Sequence, residues 1–129
     1  MYITVDEKDR RPIYQQIVDE IKGLIATGEL AQGTFLPPVR QVAADLGVNL
    51  NTVAFAYRRL QKEGLVKVRH GAGALVISRV LKEPVGDHTR SQLTAALTQL
   101  VLSGLKPSEV RNLVDEELRR LSVEATSPL

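Results

Sequence analysis

The chain has 129 residues, 43% of them hydrophobic and 25% charged, with 17 Lys and Arg against 15 Asp and Glu. That length supports one domain of ordinary size or one small domain with an appendage, and the apolar share suffices for a core. Cysteine is absent, which excludes disulfides, thiolate metal sites and a cysteine nucleophile; no apolar run approaches the roughly 20 residues of a bilayer span, and the opening MYITVDEKDRRP holds no hydrophobic signal core.

In chain order, Pro12 is expected at the first position of a helix, its φ preset and no needed donor lost. Ile13, Ile17, Ile21, Leu24 and Ile25 then recur at helical spacing. Gly23 costs that helix about 1 kcal/mol relative to Ala, and Gly28 suits its end. Residues 29–34 read as a loop turning at Gly33, and Phe35-Leu36 as a short strand. Pro37-Pro38 enforces extended backbone, with Pro38 as the first residue of a second helix. Val39, Val42, Ala43 and Leu46 form its inner side, and Gly47 stops it. Asn49 can cap a third helix by accepting from the backbone N–H of Asn51 or Thr52. That helix is expected from about Leu50 to Lys62, with Val53, Ala56, Tyr57 and Leu60 facing inward and Gly64 at its end. Leu65–Arg69 alternates as a half-buried strand, His70–Gly73 turns, and Ala74–Ile77 returns as its partner. A lone hairpin is marginal in water, so this one must pack on the helices.

Residues 79–88, with Pro84 and Gly86, read as a linker. Leu93, Leu97, Leu100 and Val101 then form one helical stripe, ended by Gly104. Pro107 opens a last helix whose apolar side is Val110, Leu113, Val114, Leu118 and Leu121. Two short helices cannot bury both stripes by themselves, so these nine residues are expected to form a homodimer interface. The fold expected is mainly α with a small β-hairpin. A winged helix-turn-helix domain occupies residues 1–78, and two short helices occupy 79–129.

Charge is unevenly placed. From Thr34 to Arg79 there are seven basic residues and two acidic ones, so this stretch carries +5 and the remainder −3. A short helix, a tight turn, a helix with a polar start and a hairpin with a basic, glycine-rich tip form a layout that places one helix in the DNA major groove. On the third helix, Asn51, Phe55, Arg58 and Lys62 share the face opposite the inward residues. Asn49, Asn51 and Thr52 stand at its start, where side chains and free N–H groups reach base edges and phosphates. Asn49 and Thr52 are equally explained by local hydrogen bonding, whereas Asn51 has less local reason to be there. Arg69, His70 and Gly71 complete the surface from the hairpin, where glycine permits close backbone approach.

The segment from PIYQQI through GEL, LPPVRQ, GVNLNTV and AYRRL to HGAG resembles the N-terminal domain of GntR-family bacterial transcription regulators, over roughly Pro12 to Ile77. The resemblance implies that Arg40 contacts DNA and that His70 and Gly71 form the tip of a DNA-gripping wing. The short tail is similar to that of the YtrA-type subfamily, where it chiefly makes a dimer, and it leaves no room for an aminotransferase-like fusion or its pyridoxal phosphate. Some relatives carry arginines at the positions of Leu50 and Ala54, and others a basic residue at Phe55. Here these side chains cannot hydrogen-bond guanine, but they can touch thymine methyls.

The implied function is a cytoplasmic, sequence-specific regulator with double-stranded DNA as partner, repressing as a homodimer on a palindromic operator. No cofactor, metal or membrane is expected, and a small-molecule effector is left open. The rival reading is a winged-helix protein-interaction module without specific DNA binding. Enzymatic activity is not expected, since His70 and His88 lie in loops with no nucleophile or ligand pattern nearby.

Overall fold

The computed structural model describes residues 1–122. In chain order they form α1 (Ile13–Thr27), β1 (Phe35–Leu36), α2 (Val39–Leu46), α3 (Leu50–Lys62), β2 (Val66–Arg69), β3 (Gly73–Val76), α4 (Asp87–Leu102) and α5 (Pro107–Ser122). Both prolines expected inside helices stand one residue earlier, as N-caps with extended ψ of 151° at Pro12 and 148° at Pro38. The reason is that an N-cap contributes its carbonyl and needs no N–H. Pro12 O accepts from the amides of Gln15 and Gln16, and Pro38 O from those of Gln41 and Val42.

The expected hairpin gains a third strand. The sheet order is β1-β3-β2, antiparallel throughout, with Phe35 and Leu36 opposite Leu75 and Ala74. β3 is therefore the central strand, and β2 has a partner on one side only. Gly73 begins β3 opposite Arg69, with φ at +81°. A Cβ there would lie 1.9 Å from the Leu36 carbonyl oxygen, so only glycine lets β1 approach this closely.

The core lies where α1, α3 and the sheet meet. Ile17, Ile21 and Ile25 pack with Val53, Ala56, Tyr57 and Leu60, and with Leu36, Val66, Ala74 and Val76. Val18 is also buried, as is one polar residue among those described, Gln16. Gln16 is fully engaged. Its Oε1 accepts from the Asp6 amide at 2.7 Å, and its Nε2 donates to the carbonyls of Asp6 at 2.9 Å and Arg11 at 3.0 Å, tying the N-terminal segment to α1.

The chain just after β3 is also fastened. The Arg79 guanidinium donates to the last carbonyls of α1, through Nε to Ile25 O at 3.1 Å and Nη2 to Ala26 O at 2.6 Å. A cation at a helix C-terminus meets both orphan acceptors and the negative end of the dipole. The Lys82 amide donates to Glu63 O at 2.8 Å, and Leu81 packs on the core. The first compact unit therefore runs from Met1 to Lys82, and the second begins at Glu83.

In the second unit, α4 and α5 are joined by a turn in which Gly104 takes φ of +90°. Val110 is buried within this helix pair, whereas α4 buries no residue. Leu93, Val101, Leu113, Val114 and Leu118 are exposed, and Leu97, Leu100 and Leu121 half-buried. Val110 thus supports the pair from inside, and the other eight residues of the expected interface remain at its surface. None of the described helices is long and apolar enough to cross a membrane.

Candidate nucleic-acid interface

α2, the turn Gly47-Val48-Asn49 and α3 form the helix-turn-helix. The turn is closed by the amides of Gly47 and Val48, which donate to the carbonyls of Ala44 and Ala43. This is the paired 5→2 and 6→1 pattern of a Schellman motif, with Gly47 left-handed at φ of 68°. Asn49 Oδ1 then accepts from the Asn51 amide at 2.7 Å and caps α3. That oxygen spends one lone pair on the cap, and the side-chain NH2 remains a free donor toward DNA.

Tyr57 fixes the two helices across this turn. Its ring is fully buried, and its hydroxyl donates to the Pro37 carbonyl at 2.6 Å. Burial pushes the phenol's pKa up, so the proton stays in place throughout the ordinary pH range. The bond locates the extended Pro37-Pro38 pair and hence the first turn of α2, which carries Arg40. Tyr57→Phe would leave that carbonyl unpaired. We expect a loss of about 1–2 kcal/mol, read as a lower urea midpoint at unchanged slope.

One groove gathers much of the expected surface. Arg40, Leu50, Asn51, Arg69, His70 and Gly71 line it together, with Ala54 and Val68 at its floor. Asn49, Thr52, Phe55 and Arg58 lie outside that lining; all but the half-buried Thr52 are exposed. Phe55 packs edge-on against Tyr14 of α1, with ring centroids 4.7 Å apart and planes at 84°. This T-shaped contact gives Phe55 an intramolecular role, although 44% of it stays exposed.

The basic side chains of this surface are unspent. Among the described residues, ion pairs involve Arg11, Lys22 and Arg120, and none involves Arg40, Arg58, Lys62 or Arg69. Arg79, counted with them in the basic stretch, is instead committed to the end of α1. Of these cations, Arg40 on α2 and Arg69 at the end of β2 line the groove, and Arg58 and Lys62 lie on α3 outside its lining.

Sequence reasoning missed one residue that joins these parts. Gln61, exposed on the last turn of α3, accepts from the Val68 amide of β2 through Oε1 at 2.7 Å. The available signal was its position seven residues after Ala54, which puts both on the α3 face toward the hairpin. Its side chain reaches a backbone group, and no residue pattern records that.

The family model for bacterial regulatory proteins of the gntR family matches residues 13–76. The chain is 33% identical over 100 residues to the HTH-type transcriptional repressor YtrA of Bacillus subtilis, covering 78% of this chain and 76% of that one. Its fold is similar to that of a transcriptional antiterminator from Listeria monocytogenes, with TM-score 0.77 and 30% identity, covering 94% of this chain and 92% of the other. It is also similar to YtrA from Sulfolobus acidocaldarius, a GntR-family transcription factor, with TM-score 0.56, 33% identity and coverage of 93% and 99%. These matches, on a chain that carries a winged helix-turn-helix and a two-helix tail, show that the protein belongs to the GntR family of bacterial regulatory proteins, in its YtrA-type branch, a family of transcription regulators rather than enzymes.

Proposed function

We propose that the protein is a cytoplasmic repressor that binds a palindromic operator as a homodimer. The observation that carries this reading is the groove in which Arg40, Leu50, Asn51, Arg69, His70 and Gly71 converge, with Arg40 and Arg69 in no ion pair among the described residues. α3 enters the major groove by its first turns. In this reading Asn51 and Arg40 hydrogen-bond base edges, Leu50 touches thymine methyls, and Thr52 and Arg58 hold phosphates. The wing tip at Arg69, His70 and Gly71 grips the adjacent backbone or minor groove.

The second copy docks through the tail. Leu97, Val101, Val110 and Val114 line an apolar cleft between α4 and α5, with Arg111 and Asp115 at its side. A two-fold axis places one surface against itself, so Arg111 of each copy can face Asp115 of the other. Two DNA-binding units would then meet successive major grooves about 34 Å apart.

Selecting bound fragments from random duplex DNA tests the proposal directly. A two-fold symmetric consensus with half-sites one helical turn apart is expected. Enrichment of no sequence would favour a protein-interaction module. Arg40→Ala is expected to weaken binding to the selected duplex by roughly 1–3 kcal/mol and to relax preference at one base pair. A uniform loss on all duplexes, with a shallower salt dependence, would reassign Arg40 to a phosphate.

A further inference from the structure

We propose that Gln61 is a positioning residue that sets the wing against the recognition helix, and so governs how strongly the wing contributes to DNA binding. The proposal rests on the DNA-binding reading above. Its basis is the topology of the sheet. β3 is held on both sides, by β1 and β2, whereas β2 is an edge strand. β2 is also the strand that leads through Arg69 into the tip at His70 and Gly71.

Along an antiparallel edge, alternate residues direct their N–H groups away from the neighbouring strand. Val68 lies opposite Ala74 and gives its N–H to Gln61 instead. That bond at 2.7 Å is the only side-chain hydrogen bond to β2 among the described residues. It falls one residue before Arg69.

The other end of β2 is already fixed. The Gly64 and Leu65 amides donate to Gln61 O and Leu60 O, closing α3 with Gly64 at φ of +84°, and Ile77 N donates to Leu65 O at 2.9 Å. The root of the wing is therefore anchored by backbone and β3 is held by β1, whereas on its free edge the outer half of β2 is met by one side chain. Without that side chain the outer half of β2 could twist away from α3, because an edge strand is held on one side only. A small change of angle at Val68 moves the tip at His70 and Gly71 relative to Asn51 and Arg40. Gln61 itself is exposed and contributes little to the core, so its loss should leave the fold intact.

The test compares Gln61→Leu, which removes the acceptor, with Gln61→Glu, which keeps one. In the full-length protein, amide exchange at Val68 should rise about tenfold in Gln61→Leu and stay near the parent value in Gln61→Glu. Each variant is then combined with Arg69→Ala and with Asn51→Ala, and binding to the duplex selected by the parent protein is measured by fluorescence anisotropy. In the parent, Arg69→Ala should weaken binding about tenfold. In the Gln61→Leu background that penalty should fall to about twofold or less, while the Asn51→Ala penalty is unchanged. The Gln61→Glu background should retain the Arg69 penalty, although its added charge lowers affinity throughout. An Arg69 penalty that is as large in Gln61→Leu as in the parent overturns the proposal, and so does an equal fall in the Arg69 and Asn51 penalties. Absence of any Arg69 penalty in the parent overturns it at a different point, by removing the wing from the DNA-binding reading.

Discussion

Gly73→Ala should lower the midpoint of thermal unfolding by roughly 8–40 °C. Two costs combine at this position. Alanine at φ of +81° is strained by about 1–2 kcal/mol. Its methyl would also sit 1.9 Å from Leu36 O and 2.9 Å from the Pro37 carbonyl carbon. Neither atom belongs to a flexible side chain, so β1 must move away, at a further cost of about 1–3 kcal/mol. Gly71→Ala supplies the control. Gly71 has a similar φ of +74°, but nothing lies within 4 Å of the added carbon, so only the conformational cost of about 1–2 kcal/mol applies. Calorimetry of both variants separates strain from collision. Equal shifts would show that β1 and β3 part without resistance.

The second large effect is expected from the tail. Val101→Glu introduces a charge at a residue that is 58% exposed in the single chain, on the cleft assigned above to the second copy. The helix pair itself should tolerate the change. Burial of the carboxylate between two copies would not be tolerated, since an unpaired charge in an apolar interface costs several kcal/mol. We expect a monomer by analytical ultracentrifugation and an operator affinity reduced by about 10²–10⁴-fold, as the second half-site no longer binds intramolecularly. Binding to a single half-site should be unaffected. A variant that stays dimeric would place the interface elsewhere on the chain.

Regular structure that announces itself by periodicity was legible in the sequence. The inward residues of α3, Val53, Ala56, Tyr57 and Leu60, are all buried, and the left-handed stop at Gly47 is present. The cap at Asn49 was legible too, because N-cap chemistry depends on one residue type at one offset. What escaped involves partners distant in the chain. Phe35-Leu36 reads as a strand, but nothing local tells that it pairs with Leu75 and Ala74. Gln16 looks like an ordinary helix-surface residue, yet it satisfies two backbone segments at once. Phe55 points from the same face as Asn51, and its contact with Tyr14 depends on how α1 crosses α3. Of the expected interface residues, Val110 differs from its neighbours in burial alone, which no stripe on a single helix reveals.

The Arg79 clamp bears on the range of half-site separations the proposed dimer would accept. With Arg79 pinned to α1 and Lys82 to the end of α3, the tether is only Glu83-Pro84-Val85-Gly86, because α4 starts at Asp87. Four residues reach at most about 14 Å even when fully stretched, and proline narrows their choices further. Only release of Lys82 from Glu63 together with release of Arg79 from α1, which would free residues 79–86, would double the slack. A lengthened leash of this kind would broaden the tolerated gap between half-sites while diluting the gain from binding both.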